Sequence, residues 1–564
     1  MNPNPVASPQ PVTRPRRLAL PDAWGVGVVA TALLLSLPVL VVFSFIFYPA
    51  GDVWRHLAET VLADYVVNSL LLMVGVAVGT LAMGISTAWL TSMCEFPGRR
   101  FFEWALLLPM AVPAYIIAYT YTGMLGFEGP IQDALREAFG WGYGDYWFPE
   151  IRSLGGAIAM LSLVLYPYVY LLARAGFLEQ SVCVLEVSRT LGLGPWASFF
   201  RVALPLARPA IITGLSLALM ETLADYGTVQ YFGVSTFTTG IFRTWFGLGD
   251  SAAAAQLSAL LMGFVFLLIV LERWSRRRAR FHHTSNRYLQ LPRHRLTGTR
   301  RALALLACLL PLLLGFVVPA GQLAVWAWQT AGTMVDADFI ALTGNSLMLA
   351  SLAALIAVGL ALLMGYGKRL RPTPLMVASV RIAAMGYAVP GTVIAVGVML
   401  PFAWTDNAID AWMRAQFGIS TGLILSGTLV ALLFAYTVRF LAVSIQTVEA
   451  GLGKIRPTMD DAARSLGLPP RQVLRKIHMP IMRGTLLTAV LLVFVDVLKE
   501  LPATLILRPF NFNTLAVRTF ELASDERLAD ASTAALAIVV AGIIPVIILS
   551  RSISRSRPGH EHAA

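Results

Sequence analysis

The hydrophobic positions of this chain do not alternate with polar ones; they run on in long blocks. Twelve blocks approach or exceed the ~20 apolar residues that a helix needs to cross the hydrocarbon core of a bilayer. They read 24–47, 66–90, 104–125, 155–178, 208–232, 253–271, 302–325, 345–366, 377–400, 421–443, 484–507 and 533–549. The fifth is interrupted by Glu221 and Asp225. The first follows Arg14, Arg16 and Arg17. It is longer than the ~7–15-residue apolar core of a signal peptide and has no clear cleavage site, so it is expected to stay as a helix. Residues 1–20 are Pro-rich and expected to be disordered. The pattern predicts an all-α polytopic membrane protein of twelve transmembrane helices.

Composition agrees. Of 564 residues, 57% are hydrophobic and 13% charged, against roughly 25% charged in a soluble domain. The net charge of +12 would suit nucleic acid if the bases formed a stripe. They cluster instead in alternate connections between the apolar blocks. Arg99 and Arg100 fill one; Lys368, Arg369 and Arg371 another; the 273–301 linker carries ten Arg and no acid; Arg551, Arg555 and Arg557 end the chain. The intervening connections are acidic: the 126–153 loop has Glu128, Asp133, Glu137, Asp145 and Glu150 against Arg136 and Arg152. This is the positive-inside pattern of a membrane protein, not a nucleic-acid site, and it places both termini in the cytoplasm. Cys94, Cys183 and Cys308 have no metal-type spacing and are read as structural.

The blocks repeat. Asn68-Ser69-Leu70 recurs as Asn345-Ser346-Leu347, and Pro113 as Pro390, both 277 residues on (345 − 68 and 390 − 113). Arg243 recurs as Arg518, and Asp250 as Asp525, 275 residues on. The chain is therefore read as two six-helix halves, 21–272 and 302–550, joined by the 273–301 linker and ending in a 551–564 tail. An even number of spans per half makes the repeat parallel, with a pseudo-twofold axis along the membrane normal.

The most informative repeat is a polar loop. The first copy runs EVSRTLGLGPWASFFRVALP from Glu186 to Pro205; the second runs DAARSLGLPPRQVLRKIHMP from Asp461 to Pro480. In each, an acid is followed by Gly at +6 (Gly192, Gly467) and Pro at +19 (Pro205, Pro480), and both share R-x-L-G-L. The residues before each Gly are expected to form a short helix with its acid near the positive N-terminus, and the Gly a turn with φ > 0. This loop resembles the "EAA" loop of importer permeases of the ATP-binding cassette (ABC) class. Val187-Ser188 departs from the usual pair of Ala, which the second copy keeps as Ala462-Ala463. The resemblance implies the type I ABC importer permease fold. It also implies that each short helix docks on a cytoplasmic ATPase. The chain carries no phosphate-binding G-x-x-x-x-G-K-[ST] segment, so ATP is expected to be used by a partner subunit. No catalytic constellation is evident, so the chain is expected not to be an enzyme, and no cofactor of its own is expected.

Glu221 and Asp225 lie four residues apart, on one helix face, and Asp496 and Glu500 repeat them 275 residues on. Ionisable groups within spans are costly and face a bundle interior or cavity. Three readings stand: a ring of carboxylates at the outer mouth of a pore, ion pairs with Arg439 or Lys499, or simple interfacial placement. No metal site is assigned.

Ala224 to Gly247 and Lys499 to Phe520 look like the corresponding stretches of fused ferric-iron importer permeases, and the resemblance spans about 20–555. It implies a complex with two copies of an ATPase and an external iron-binding protein, in the bacterial cytoplasmic (inner) membrane. A hard cation prefers oxygen ligands, which the carboxylates with Tyr226 and Tyr231 would offer. Thiamine or a polyamine would suit the same acids. An ion-coupled secondary transporter is the alternative of another class; the parallel repeat and doubled loop count against it.

Overall fold

The structure is a computed structural model and describes residues 23–49, 51–142, 144–178, 195–277 and 293–555. Ten helices in it are long and apolar enough to cross a membrane, and two bent helix pairs raise the number to as many as twelve. In chain order the spans are α1 (Ala23–Phe47), α2 (Leu62–Met93), the bent α3 (Arg99–Ala111 with Ala114–Phe139), α4 (Leu154–Leu178), α5 (Phe199–Ala224) and α6 (Ser251–Ser275). The second half continues with α7 (Gly298–Met334), α8 (Ala337–Leu370), α9 (Gly391–Phe417), α10 (Leu429–Gly453), the bent α11 (Pro470–Ile481 with Arg483–Leu498) and α12 (Leu528–Ile548). Each apolar block maps onto one of them. Among the described residues the only strand pairing is Cys94–Glu95 with His294–Arg295, in parallel.

Four blocks are not the straight helices expected. The 104–125 block bends by 90° at Val112-Pro113, and the 377–400 block breaks at Val389-Pro390. Proline lacks the N–H that would continue the ladder and pushes the preceding residue out of the helical region. Val112 and Val389 are extended accordingly, at ψ 117° and 125°. The 208–232 block ends as a helix at Ala224 and resumes as the five-residue helix Gly227–Tyr231. The 484–507 block stops at Leu498 and resumes at Pro502–Leu507. Both of these breaks fall beside the intramembrane acids.

Each half has the same three-helix centre. Spans α2, α4 and α5 pack together in the first half, and α8, α10 and α11 in the second. The outer helices cross between halves. Span α1 packs on α9 and α8 of the second half: Trp24 donates its indole N–H to the Leu363 carbonyl at 2.9 Å. Span α7 reaches back to the first half, where the Tyr121 hydroxyl donates to the Leu314 carbonyl at 2.6 Å. The halves therefore interlock rather than abut.

Lipid is as apolar as a side chain, so close backbone approach rather than hydrophobic burial holds such helices together. Gly214 of α5 illustrates it: a Cβ there would lie 2.8 Å from the Tyr168 carbonyl oxygen of α4. At Gly359 of α8 a Cβ would meet nothing within 4 Å. Gly214→Ala should therefore destabilise the detergent-solubilised protein by about 1–3 kcal/mol through overpacking. Gly359→Ala should be neutral or stabilising by about 0.5–1 kcal/mol, the helix penalty of Gly. Paired thermal unfolding curves check both; equal midpoints for the two variants would contradict the packing account.

Candidate functional site

The two helix breaks create the site. A helix that stops and resumes inside a bilayer leaves unpaired C=O groups at the stop and unpaired backbone N–H groups at the restart. In α5 the Asp225 carboxylate meets the N–H groups. Its oxygens accept from the Thr228 and Val229 backbone N–H groups, each at 3.1 Å, and from the Thr228 hydroxyl at 3.0 Å. At the repeat position in the second half, Glu500 accepts from the Ala503 N–H at 3.1 Å. Asp225 and Glu500 are thus caps of the resumed helices.

The acids one turn earlier have different surroundings. Glu221 and Asp496 keep side-chain exposures of 25% and 21%, against 5% for Glu500. Arg439 of α10 reaches one acid of each kind. Its guanidinium lies 3.1 Å from Glu500 and 3.9 Å from Glu221. The Lys499 ammonium pairs with Asp496 at 2.9 Å. Of the readings of these acids, the ion-pair one describes three of the four carboxylates, and the fourth is a cap.

All four acids line one cavity of about 120 Å³, with Arg439, Lys499, Tyr115, Tyr168, Tyr226 and Tyr387. Its position follows from the repeat. Lining residues occur as mates: 221 with 496, 225 with 500, 224 with 499, 226 with 501, 227 with 502, 164 with 439 and 165 with 440 at an offset of 275, and 110 with 387 at 277. A cavity walled by equivalent residues of both halves lies on the pseudo-twofold axis. Tyr226 is in its wall, but Tyr231 is not. Tyr231 instead accepts from Arg152 at 3.1 Å, and Arg152 pairs with Glu526 of the second half at 2.6 Å. Glu526 is the one described non-Gly residue at positive φ, +60°. This contact ties the halves together on the face opposite the polar loops.

Tyr115, Tyr168 and Tyr387 were not singled out by the sequence pattern. The available signal was proximity to proline: Tyr115 is two residues after Pro113, Tyr168 follows Pro167, and Tyr387 is three before Pro390. The Tyr115 hydroxyl is buried with no hydrogen-bond partner. Among the described residues no three His, Cys, Asp or Glu side chains converge as metal ligands.

Of the two polar loops, Glu186 and Gly192 lie outside the described residues. Pro205 is in the first turn of the helix Leu204–Ala224. The second copy is described throughout. Its short helix is Pro457–Ser465, longer than the sequence suggested, and Gly467 ends it at φ +77°, where a side chain would be strained. Asp461 and Ala462 are exposed and Ala463 is buried. Leu466 is 81% exposed beside them. Pro480 lies in the helical turn Met479–Ile481.

The model of the family described as "Binding-protein-dependent transport system inner membrane component" matches residues 81–281 and again 357–557. An Fe(3+)-transport system permease protein of Haemophilus influenzae is 26% identical over 538 residues, covering 92% of this chain and 97% of that protein. A ferric transport system permease protein of Actinobacillus pleuropneumoniae is 23% identical over 530 residues, 84% of this chain and 71% of its own. A molybdenum transport system permease protein of Escherichia coli is 27% identical over 207 residues, 36% of this chain and 87% of its own. With the family model matched once in each half, and a fold of interlocked parallel repeats, this chain belongs to the binding-protein-dependent inner membrane components: it is a fused, two-half permease of the ABC importer class, a multi-pass protein of the inner membrane.

Proposed function

We propose that this chain forms the translocation pathway for ferric iron. In this reading an external binding protein delivers the ion, and two copies of a cytoplasmic ATPase drive transport. The observation that carries it is the similarity, along nearly the full length of both chains, to the ferric permease of Haemophilus influenzae. The charge of the axial cavity supports it. Four acids face two bases there, a formal balance of −2. An anionic cargo would meet repulsion at such a site, whereas a hard cation finds carboxylate and phenol oxygens. Thiamine and polyamines, also cationic, are the second reading.

The proposed cycle is alternating access. Both termini and both polar loops face the cytoplasm, following the basic connections. Asp461, Ala462 and Ala463, with Gly467, and in the first half Glu186 and Gly192, contact the ATPase. ATP-driven closure draws the two loops together and opens the opposite face, where Arg152 and Glu526 now join the halves. An ion entering the cavity competes with Lys499 for Asp496 and with Arg439 for Glu221. Hydrolysis then resets the inward-facing form.

Two predictions separate pathway from scaffold. Glu221→Gln with Asp496→Asn should lower uptake of radiolabelled ferric iron by iron-starved cells about tenfold, a barrier change of ~1.4 kcal/mol, with normal protein in the membrane. Asp225→Ala should instead lower folded stability by about 1–2 kcal/mol, the cost of a lost cap, seen as reduced yield and unfolding temperature. Wild-type uptake by the Glu221/Asp496 variant would remove the pathway role. Bulky residues at both Gly192 and Gly467 should abolish uptake without loss of membrane insertion. If the wild-type chain fails to restore uptake to cells lacking it, iron is excluded, and thiamine and polyamine uptake become the measurements that decide.

A further inference from the structure

The helix Pro457–Ser465 does not hang free on the face it occupies. Asp460, the residue before the exposed Asp461, turns inward and is 9% exposed. Its carboxylate receives Arg369 of α8, with Nε at 2.9 Å and Nη2 at 2.7 Å. The His478 Nε2 stands 2.6 Å from its other oxygen, and His478 is fully buried. Arg369 also donates to the Leu452 carbonyl and, at 2.8 Å, to the Ile455 carbonyl, both at the end of α10. Tyr366, one turn earlier on α8, donates to the Pro470 carbonyl at 3.0 Å and sets its ring edge-on to His478. The short helix, its return segment and the ends of α8 and α10 are therefore fastened at a single ionic node. Arginine suits that place because its planar fork can serve a carboxylate and two helix-end carbonyls at once.

The first half is built differently. The positions equivalent to Arg369, Asp460 and His478 are Ser92 (369 − 277), Leu185 (460 − 275) and Ala203 (478 − 275). None can carry charge. The position equivalent to Tyr366 is Trp89, and its ring packs on Phe177 and Phe199 at centroid distances of 5.4 Å and 4.8 Å. An aromatic cluster thus stands at those positions in the first half, whose own ion pairs join Glu103 to the buried Arg99 and to Arg174 instead.

We propose that Asp460 is a positioning residue for ATPase coupling, and that its contact with Arg369 and His478 makes the second polar loop a stiff lever that moves α8, α10 and α11 as one body. This rests on the reading of Asp461 to Gly467 as an ATPase contact. A buried ion pair is unneeded for mere stability, since apolar residues do as well or better; its directional geometry is what fixes the helix against the spans.

The test uses the full complex with its ATPase in lipid nanodiscs. Spin labels replace Trp147 and Phe510, which are 85% and 100% exposed on the opposite face, in a chain whose three cysteines are serine. The reading is the change in label-to-label distance when ATP and vanadate are added, beside ATP hydrolysis before trapping. With Asp460→Asn we expect hydrolysis and ATPase capture to persist while the distance change falls about fivefold or more. Asp460→Glu, which keeps the charge, should recover it. A triple variant carrying the first-half residues, Arg369→Ser with Asp460→Leu and His478→Ala, leaves no unpaired charge and should also lose the response. A full distance change in either Asp460→Asn or the triple variant overturns the proposal, as does loss of ATPase capture, which would make Asp460 a docking residue. Gly467→Trp keeps the two readings apart. If it abolishes ATPase capture while Asp460→Asn responds normally, only the lever fails; if it captures and responds as the parent does, the ATPase-contact reading falls and the lever with it.

Discussion

Broken helices in a bilayer set the terms for this protein. Backbone groups freed at a break have no water to bond and must be met from within. At the break after Ala224 and the break after Leu498, the chain meets them with carboxylates. A carboxylate in that setting brings a charge, and a charge in low dielectric calls for a partner. Arg439 is the partner of Glu500 and reaches Glu221 as well. The polar cavity is thus a consequence of interrupted spans. The interruptions in turn let α5 and α11 approach the axis and then fold back into short helices.

The same logic explains which acids keep room for a further partner. Asp225 and Glu500 each commit one carboxylate oxygen to backbone N–H groups, so moving them would undo the fold. Glu221 and Asp496 hold only side-chain partners, at 3.9 Å and 2.9 Å, and retain partial exposure. Capping acids and partly exposed acids are separated by one helical turn in each half.

Much of this was legible in the sequence. Apolar block length located every span, and the offsets of 275 and 277 located the repeat, because both depend on residue type alone. The intramembrane acids announced themselves by their cost. The roles of Asp225 and Glu500 did not, since capping is visible only when the helix is seen to stop. Pro113 and Pro390 offered a hint of bending but not of a 90° turn, which depends on how α3 packs. Tyr231 was grouped with Tyr226 as an oxygen donor, yet five residues further on the chain has already turned toward Arg152. Asp460 was overshadowed by its neighbour Asp461: one faces the spans and the other faces away, a distinction set by the phase of a nine-residue helix.

Fusion of the halves gives the charge balance its form. In a permease built from two identical chains, any base facing the axis would appear twice, and four acids with two such bases would become four acids with four. Here Arg439 stands opposite Val164, and Lys499 opposite Ala224. Both bases belong to the second half, and Arg439 serves carboxylates of both. A single chain can place one counter-ion where symmetry would demand two. The axis is left with a formal excess of two negative charges. Removing either base would deepen the field but strand its acid partner. Adding a third would move the cavity toward neutrality and, under the proposed function, weaken its pull on a cation. The observed count lies between these two limits, and divergence of the halves is what lets the single Arg439 serve a carboxylate of each.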